Sequence, residues 1–127
     1  ESAEQIHISV FPTVHERHQI ASRHYAFEGR TFVLTAGAIF PAGDLPGELE
    51  APANLPSDAL LQRGGSAIIA PDGTYLVEPV FDKEQTLIAT LDLNQIIRES
   101  LALDVTGHYS RPDVFDLTVN RQRKPRT

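Results

Sequence analysis

A strand, a capped helix and a second strand can be read in succession along the first third of the chain, and this order restricts the fold more than any other feature. Ile6, Ile8 and Val10 alternate with His7 and Ser9, the period of a half-buried strand. Pro12 ends it, because proline has no amide to give to a ladder. Thr13 to Glu16 fits a capping box, in which the Thr13 hydroxyl accepts from an early helical amide and Glu16 reaches back to the amide of Thr13. The helix is predicted to run to about Glu28, turning Ile20, Ala21, His24, Tyr25 and Phe27 toward the core, with Gly29 as the left-handed C-cap residue. Thr31 to Phe40 is too continuously apolar for an exposed edge and is expected to be a central strand. Strand, helix, strand is the signature of a layered α/β arrangement.

The remaining segments are read in the same way. Pro41 to Pro56 is rich in proline, glycine and acidic residues and reads as a long loop. Ser57 to Gln62 is expected to form a short helix before Gly64 and Gly65. Ser66 to Ala70 and Tyr75 to Phe81, joined by Pro71-Asp72-Gly73-Thr74, read as a β-hairpin whose Asp-Gly pair supplies positive φ. Gln85 to Leu93 alternates Leu87, Ala89, Leu91 and Leu93 inward against Thr86, Ile88, Thr90 and Asp92, which predicts another strand. Asp92 or Asn94 caps a helix expected to reach about Leu103, with Ile96, Ile97 and Leu101 on one apolar face. Beyond Gly107, a turn at Arg111-Pro112 precedes a short strand-like segment. No internal repeat or heptad array occurs.

Composition bounds what such a chain can do. Its 127 residues, 41% apolar and 22% charged, allow one domain with a modest core. A formal charge of −6 argues against a nucleic-acid surface, which needs clustered Lys and Arg. The clustered bases, Arg121, Arg123, Lys124 and Arg126, form a terminal run that reads as a solvated tail or an arm for an acidic partner surface. Neither a membrane span nor an export signal is evident. The absence of cysteine excludes a disulfide framework, so packing alone must hold the fold, and it is compatible with a cytoplasmic location.

Five blocks then align with one pattern: EQIHISVFP (4–12), ASRHYAFEGRTFVLTA (21–36), GGSAIIAPDG (64–73), TLIATLDLNQI (86–96) and LDVTGHYSRPDVF (103–115). In this order they cover well over half the chain, and together they resemble the C-terminal part of a nitrilase, in the carbon–nitrogen hydrolase superfamily. The resemblance implies an α/β fold, the second half of an α-β-β-α sandwich, whose protomers join through helices into a four-layer core. Residues 1–105 would be the C-terminal part of the hydrolase domain and 106–127 a tail in contact with another protomer. Since the chain starts at Glu1, it is expected to be a piece of a longer protein.

The family works with a Cys nucleophile, a Glu base and a Lys that stabilises the tetrahedral intermediate, and needs no metal or organic cofactor. The resemblance places all three upstream of Glu1; Lys83 and Lys124, the only lysines, match no catalytic position. One site carries over. The aromatic-Pro pair that borders the substrate pocket in related nitrilases is Phe11-Pro12 here, with Phe where Trp is common. The smaller ring implies more room for substrate; the competing reading is a core aromatic that never meets substrate. The expected activity is hydrolysis of an organic nitrile to a carboxylic acid and ammonia, with a small-molecule nitrile as partner and a homo-oligomer, dimer or spiral filament, as the assembly. Cyanide or amide hydrolysis, and a non-catalytic fragment or assembly module, are the alternatives.

Other candidates carry less. His15 and His18 have helical spacing for a metal but lack a third ligand. His24 reads as a hydrogen-bonded core histidine, and Glu28 with Arg30 as a packing ion pair. Gly64-Gly65-Ser66 lacks the Lys of a phosphate loop and reads as a tight entry to a strand. His108, Tyr109 and Arg111 are assigned to contact with a neighbouring protomer rather than to catalysis.

Overall fold

A computed structural model describes residues 4–49, 55–104, 107 and 109–122. Strand β1 (Ile6–Phe11) leads into helix α1 (Glu16–Gly29), which returns to β2 (Phe32–Gly37) lying parallel to β1, with Ile6 opposite Phe32 and Phe11 opposite Gly37. The stretch expected to be one strand breaks at Ala38, and β3 (Ile39–Pro41) continues beyond it. Strand β4 (Leu60–Ile69) runs antiparallel to both, pairing Arg63 with Ile39 and Ile69 with Val33. Its other edge takes β5 (Tyr75–Phe81) through the Pro71–Thr74 turn, as the hairpin reading anticipates. A short helix α2 (Asn94–Ser100) follows.

The buried core lies between the sheet and α1, where Ala26, Val33 and Ile69 meet with Tyr75 packed beside them. The inner face of α1 is Gln19, Ser22 and Ala26, not the apolar residues assigned to it; Ile20, Tyr25 and Phe27 are exposed. Side-chain size and hydrogen bonding decide this. Small Ser22 and Ala26 let the helix approach the sheet, and Gln19 is fully engaged, donating from Nε2 to the carbonyls of Val14 (3.1 Å) and Gly65 (2.6 Å) and accepting from the Tyr75 hydroxyl (3.1 Å). A buried amide with its bonds made costs little to bury. His24 accordingly lies outside, 71% exposed, with Nδ1 3.5 Å from Glu28, so it is neither a core histidine nor is Glu28 the partner of Arg30.

Both helix ends differ from the capping expected. Thr13 does not cap α1, because its hydroxyl already donates to Gln62 Oε1 (2.7 Å) and accepts the amide of Arg63 (3.0 Å). The helix starts at Glu16, where the His15 amide lies 3.2 Å from His18 Nδ1. At the other end Arg30, not Gly29, takes the left-handed conformation at φ 50°.

Four further expectations fail. Ser57 to Gln62 forms no helix; a turn gives way to β4 at Leu60, where β3 offers a ladder. Residues 85–92 run without a ladder, although Leu87 lies over the sheet beside Ile8, Leu34 and Ile68. Helix α2 stops short of Leu103 and buries none of its residues; Ile97 and Leu101 face outward. After Arg111 a turn forms, and no strand follows among the described residues.

The sheet face opposite α1 is apolar and open. Ile8 is 67% and Val10 77% exposed, and Ile88 in the unpaired segment reaches 84%. The alternation read in β1 is real, but its apolar side faces away from the helix.

Candidate functional site

Phe11 closes β1 and sits opposite Gly37 across the parallel ladder. Alternation puts its side chain on the α1 side, where its ring stacks on His18 with centroids 4.7 Å apart and planes inclined by 17°. His18 Nδ1 is 3.1 Å from the Thr13 carbonyl oxygen and 3.2 Å from the His15 amide. Pro12 is exposed, and its carbonyl accepts the amide of Ala38 at 2.9 Å. The 11–18 segment is thus pinned to Ala38 and to β4 by backbone bonds, including Val14 N–H to Gly64 O at 2.8 Å.

A cavity of about 510 Å³ opens on the other face of the sheet, beside Gly37. Ile39, Gly64, Ser66 and Val80 line it, and the segment from Lys83 to Thr86 forms its rim. Gly37 therefore joins the two features: its backbone neighbours Phe11 on one side and the cavity on the other. The Ser66 hydroxyl accepts the Gly37 amide at 3.0 Å, which ties the cavity floor together. Next to Lys83, Asp82 holds a bidentate pair with Arg63, and that hydrogen bonding keeps its carboxyl below the usual range.

Gly64 and Gly65 lie within β4 with φ of 79° and 86°, not in a phosphate loop. Positive φ and close approach explain both glycines: a Cβ on Gly65 would meet the Val14 carbonyl oxygen at 2.6 Å. His15 and His18 have ring centroids 5.8 Å apart, but His18 is engaged with Phe11, and no group of three or more potential metal ligands occurs among the described residues. Arg111 pairs with Asp113 at the surface, and His108 lies outside the described residues.

Two elements of the site escape sequence reading. The signal for the His18 stack on Phe11 is an aromatic at a strand end followed by a histidine early in the next helix, a spacing that reads equally as a pair of metal ligands with His15. The buried Gln19 was invisible because a Gln at a helical inner position looks like a surface residue.

The arrangement holds cations, carboxylates and one serine hydroxyl, but no thiol, because the chain has no cysteine. By itself it shapes and borders a cleft; it offers no thiolate to attack a carbon–nitrogen bond.

Comparison with known proteins identifies the family. A family model described as carbon-nitrogen hydrolase matches residues 2–98. A nitrilase of Bradyrhizobium diazoefficiens is 42% identical over 102 residues, 80% of this chain and 32% of that protein. An aliphatic nitrilase of Sinorhizobium fredii is 40% identical over 115 residues, 89% of this chain and 37% of that protein. A bifunctional nitrilase/nitrile hydratase of Lupinus angustifolius is 38% identical over 124 residues, 92% and 36% of the respective chains. The crystal structure of a CN-hydrolase superfamily protein from Xanthomonas campestris superposes with a TM-score of 0.61 at 16% identity, over 91% of this chain and 37% of that one. The chain spans about a third of the length of these relatives. No helix among the described residues is long and apolar enough to cross a membrane. Matched along three quarters of its length by the family model and carrying the fold of a solved member, the chain belongs to the carbon–nitrogen hydrolase family.

Proposed function

We propose that this chain is part of a nitrilase that converts an organic nitrile and two waters to a carboxylic acid and ammonia. The observation that carries the reading is that relatives from a bacterium and a plant, aligned over 80% or more of the chain, bear the name nitrilase. The reaction needs a thiolate that adds to the nitrile carbon, giving a thioimidate as the nitrogen takes a proton. Water adds to that carbon, ammonia leaves to give a thioester, and a second water releases the acid and restores the thiol. The developing charge on nitrogen needs aimed donors. The Cys, Glu and Lys for these steps belong to a portion upstream of Glu1. The present residues form the second half of the sandwich and border its cleft, with Phe11 and Pro12 beside the substrate and Phe11 limiting its size.

Self-association completes the proposal. The outward Ile20, Tyr25 and Phe27 of α1 and the exposed Tyr109, Val114, Phe115 and Leu117 of the C-terminal segment support a homo-oligomer, a dimer that extends into a spiral filament where contacts fail to close. A cytoplasmic location suits a thiol enzyme. The second reading, an assembly module without catalysis, rests on the same exposed faces.

Ammonia release separates the two. Residues 1–127 alone are expected to be inactive toward aliphatic and aromatic nitriles. The same residues joined to an upstream portion carrying Cys, Glu and Lys are expected to release ammonia and acid in equal amounts. A joined protein that folds and assembles but hydrolyses no nitrile would favour the assembly module, and ammonia from amides alone would favour an amide-hydrolysing relative.

A further inference from the structure

We propose that the cavity beside Gly37 is a subsite for the part of the nitrile remote from the reacting carbon, and that the Ser66 hydroxyl donates there to an uncharged acceptor on the substrate. The preferred substrates are then nitriles that carry a hydroxyl or ether oxygen rather than plain hydrocarbon nitriles. The inference rests on the reading of the protein as part of a nitrilase whose cleft these residues border.

The place of the cavity is the first observation. Strands β1 and β2 run parallel, joined by α1, and end at Phe11 and Gly37. In α/β sheets ligands gather outside the carboxyl ends of parallel strands, where the ladder stops and the backbone turns away. Gly37 is one of these ends and lines the 510 Å³ cavity.

The bonding of Ser66 is the second. The β2–β4 ladder closes with Thr35 opposite Ala67, and beyond it the Gly37 amide donates to Ser66 Oγ at 3.0 Å. That bond uses the oxygen as an acceptor and leaves its proton to be placed. Among the described residues its acceptor is the Gly37 carbonyl oxygen at 3.5 Å, well beyond the span of about 2.5–3.0 Å usual for an O–H···O bond. An oxygen on a ligand in the cavity can come nearer, and a hydroxyl hydrogen rotates to suit its partner.

The rim adds the third. Lys83, Glu84, Gln85 and Thr86 make it polar and bring one charge of each sign, so an ionic substituent of either sign meets a like charge there. An acceptor without charge avoids this. The floor is also held from the far side of the sheet. Gln19 donates to the carbonyls of Gly65 (2.6 Å) and Val14 (3.1 Å), and the Val14 amide donates to that of Gly64 (2.8 Å). These bonds fix the glycine pair that leads into Ser66, so its hydroxyl is in place before a substrate arrives.

The test uses the enzyme in which this segment is joined to its Cys-Glu-Lys portion, with hydroxypropionitrile and butyronitrile, which differ by a hydroxyl in place of a methyl. The parent is expected to prefer the hydroxylated nitrile in kcat/KM. Ser66→Ala should reduce that preference about tenfold, the size of one neutral hydrogen bond, with the change lying in KM. Ser66→Thr and Ser66→Val match in shape and differ in the hydroxyl, so the first should keep the preference and the second lose it, which guards against a folding defect in Ser66→Ala. Loss of the Gly37 contact alone would slow both nitriles alike and leave their ratio where it was, so the ratio separates a substrate contact from a structural serine.

Equilibrium binding of the same two nitriles, followed by ligand-observed NMR, reads the subsite without turnover. A parent that prefers butyronitrile, or a preference unchanged when the hydroxyl is removed, overturns the inference while leaving nitrile hydrolysis intact. A joined protein that binds the hydroxylated nitrile through Ser66 but hydrolyses neither compound supports the subsite and overturns the nitrilase reading. Absence of both binding and turnover overturns the two together.

Discussion

The guanidinium of Arg30 lies 4.3 Å from the centre of the Phe27 ring, so a buried cation closes the C-terminal end of α1 against an aromatic of its own helix. Arg30 also donates from Nε to the Leu103 carbonyl (3.2 Å) and from Nη1 to that of Pro71 (3.4 Å), and faces Glu99 at 3.7 Å. These bonds join α1, the β4–β5 turn and the end of α2. They also explain how a residue with a Cβ holds a left-handed conformation, which costs about 1 kcal/mol relative to glycine.

Arg30→Ala is expected to destabilise the protein by about 2 kcal/mol, since charge-assisted bonds are lost and Glu99 loses the guanidinium it faces. Arg30→Gly should do less harm, because it relieves the left-handed backbone while losing the same bonds. Hydrogen exchange should show residues 94–104 opening first in both variants. Equal stability of Arg30→Ala and the parent in denaturant would remove Arg30 from this role.

Gly65 sits where no other residue fits. An added Cβ would approach the Val14 carbonyl oxygen at 2.6 Å and the Phe81 ring at 2.7 Å, at a φ of 86°. Gly65→Ala should cost about 2 kcal/mol or more, since strain and overlap act together. Gly47 meets nothing within 4 Å, so Gly47→Ala should stay within about 0.5 kcal/mol of the parent. Urea midpoints compare the two, and similar losses at both positions would contradict the packing described around β4.

Local signals made part of this fold legible. The β1 alternation, the apolar run of β2 and the Asp-Gly turn of the hairpin all act between near neighbours, and all three form strands or turns in place, although the apolar run breaks at Ala38. The inner face of α1 was not legible, because Gln19 is satisfied by Gly65 and Tyr75, residues far along the chain. The same holds for Thr13, drawn from its capping role by Gln62. Residues 85–92 have the period of a strand, but period does not supply a ladder. The end of β1 at Phe11 was readable from Pro12, whereas the stack of Phe11 on His18 joins a strand to the next helix and shows only in the fold. Resemblance, rather than periodicity, pointed to the reaction.

Stability at the edge of β1 should depend on pH in both directions through one carboxylate. Glu4 accepts from His7 Nδ1 at 2.9 Å and from the Tyr25 hydroxyl at 2.7 Å. The bond with His7, then that with Tyr25, holds the Glu4 carboxyl below its ordinary value of 4.5. Donation to Glu4 in turn raises the Tyr25 phenol above 10.0. A lowered carboxyl stabilises the fold above its unfolded value and loses that contribution as pH falls through the folded one. A raised phenol does so below its unfolded value and loses it as pH rises through the folded one. Glu4→Gln should flatten both limbs of the stability profile, below about pH 5 and above about pH 9, and added salt should weaken them in the parent. Identical profiles for parent and variant would show that the cluster does not couple to folding.

The open sheet face makes the last prediction. Ile8 and Val10 point away from α1 and, among the described residues, only the unpaired segment around Leu87 lies near this face, while Ile88 adds a further exposed side chain. An apolar face of this kind next to strand backbone without a ladder is a template for self-association. Residues 1–127 expressed alone should therefore be insoluble or oligomeric. Ile8→Thr with Val10→Thr keeps β-branched residues in the strand and removes apolar surface from the exposed side only, so it should raise the monomer fraction without lowering stability. Sedimentation velocity of parent and variant at matched concentration measures this. A parent that is already a monomer, melting cooperatively, would mean the face needs no cover; an oligomer unmoved by the double change would shift the association to the outward Ile20 and Phe27 of α1. In an enzyme that includes the upstream portion the same pair of substitutions should cost stability, because a face that is solvent here would be interior there, and each buried methyl exchanged for a hydroxyl loses on the order of 1 kcal/mol or more.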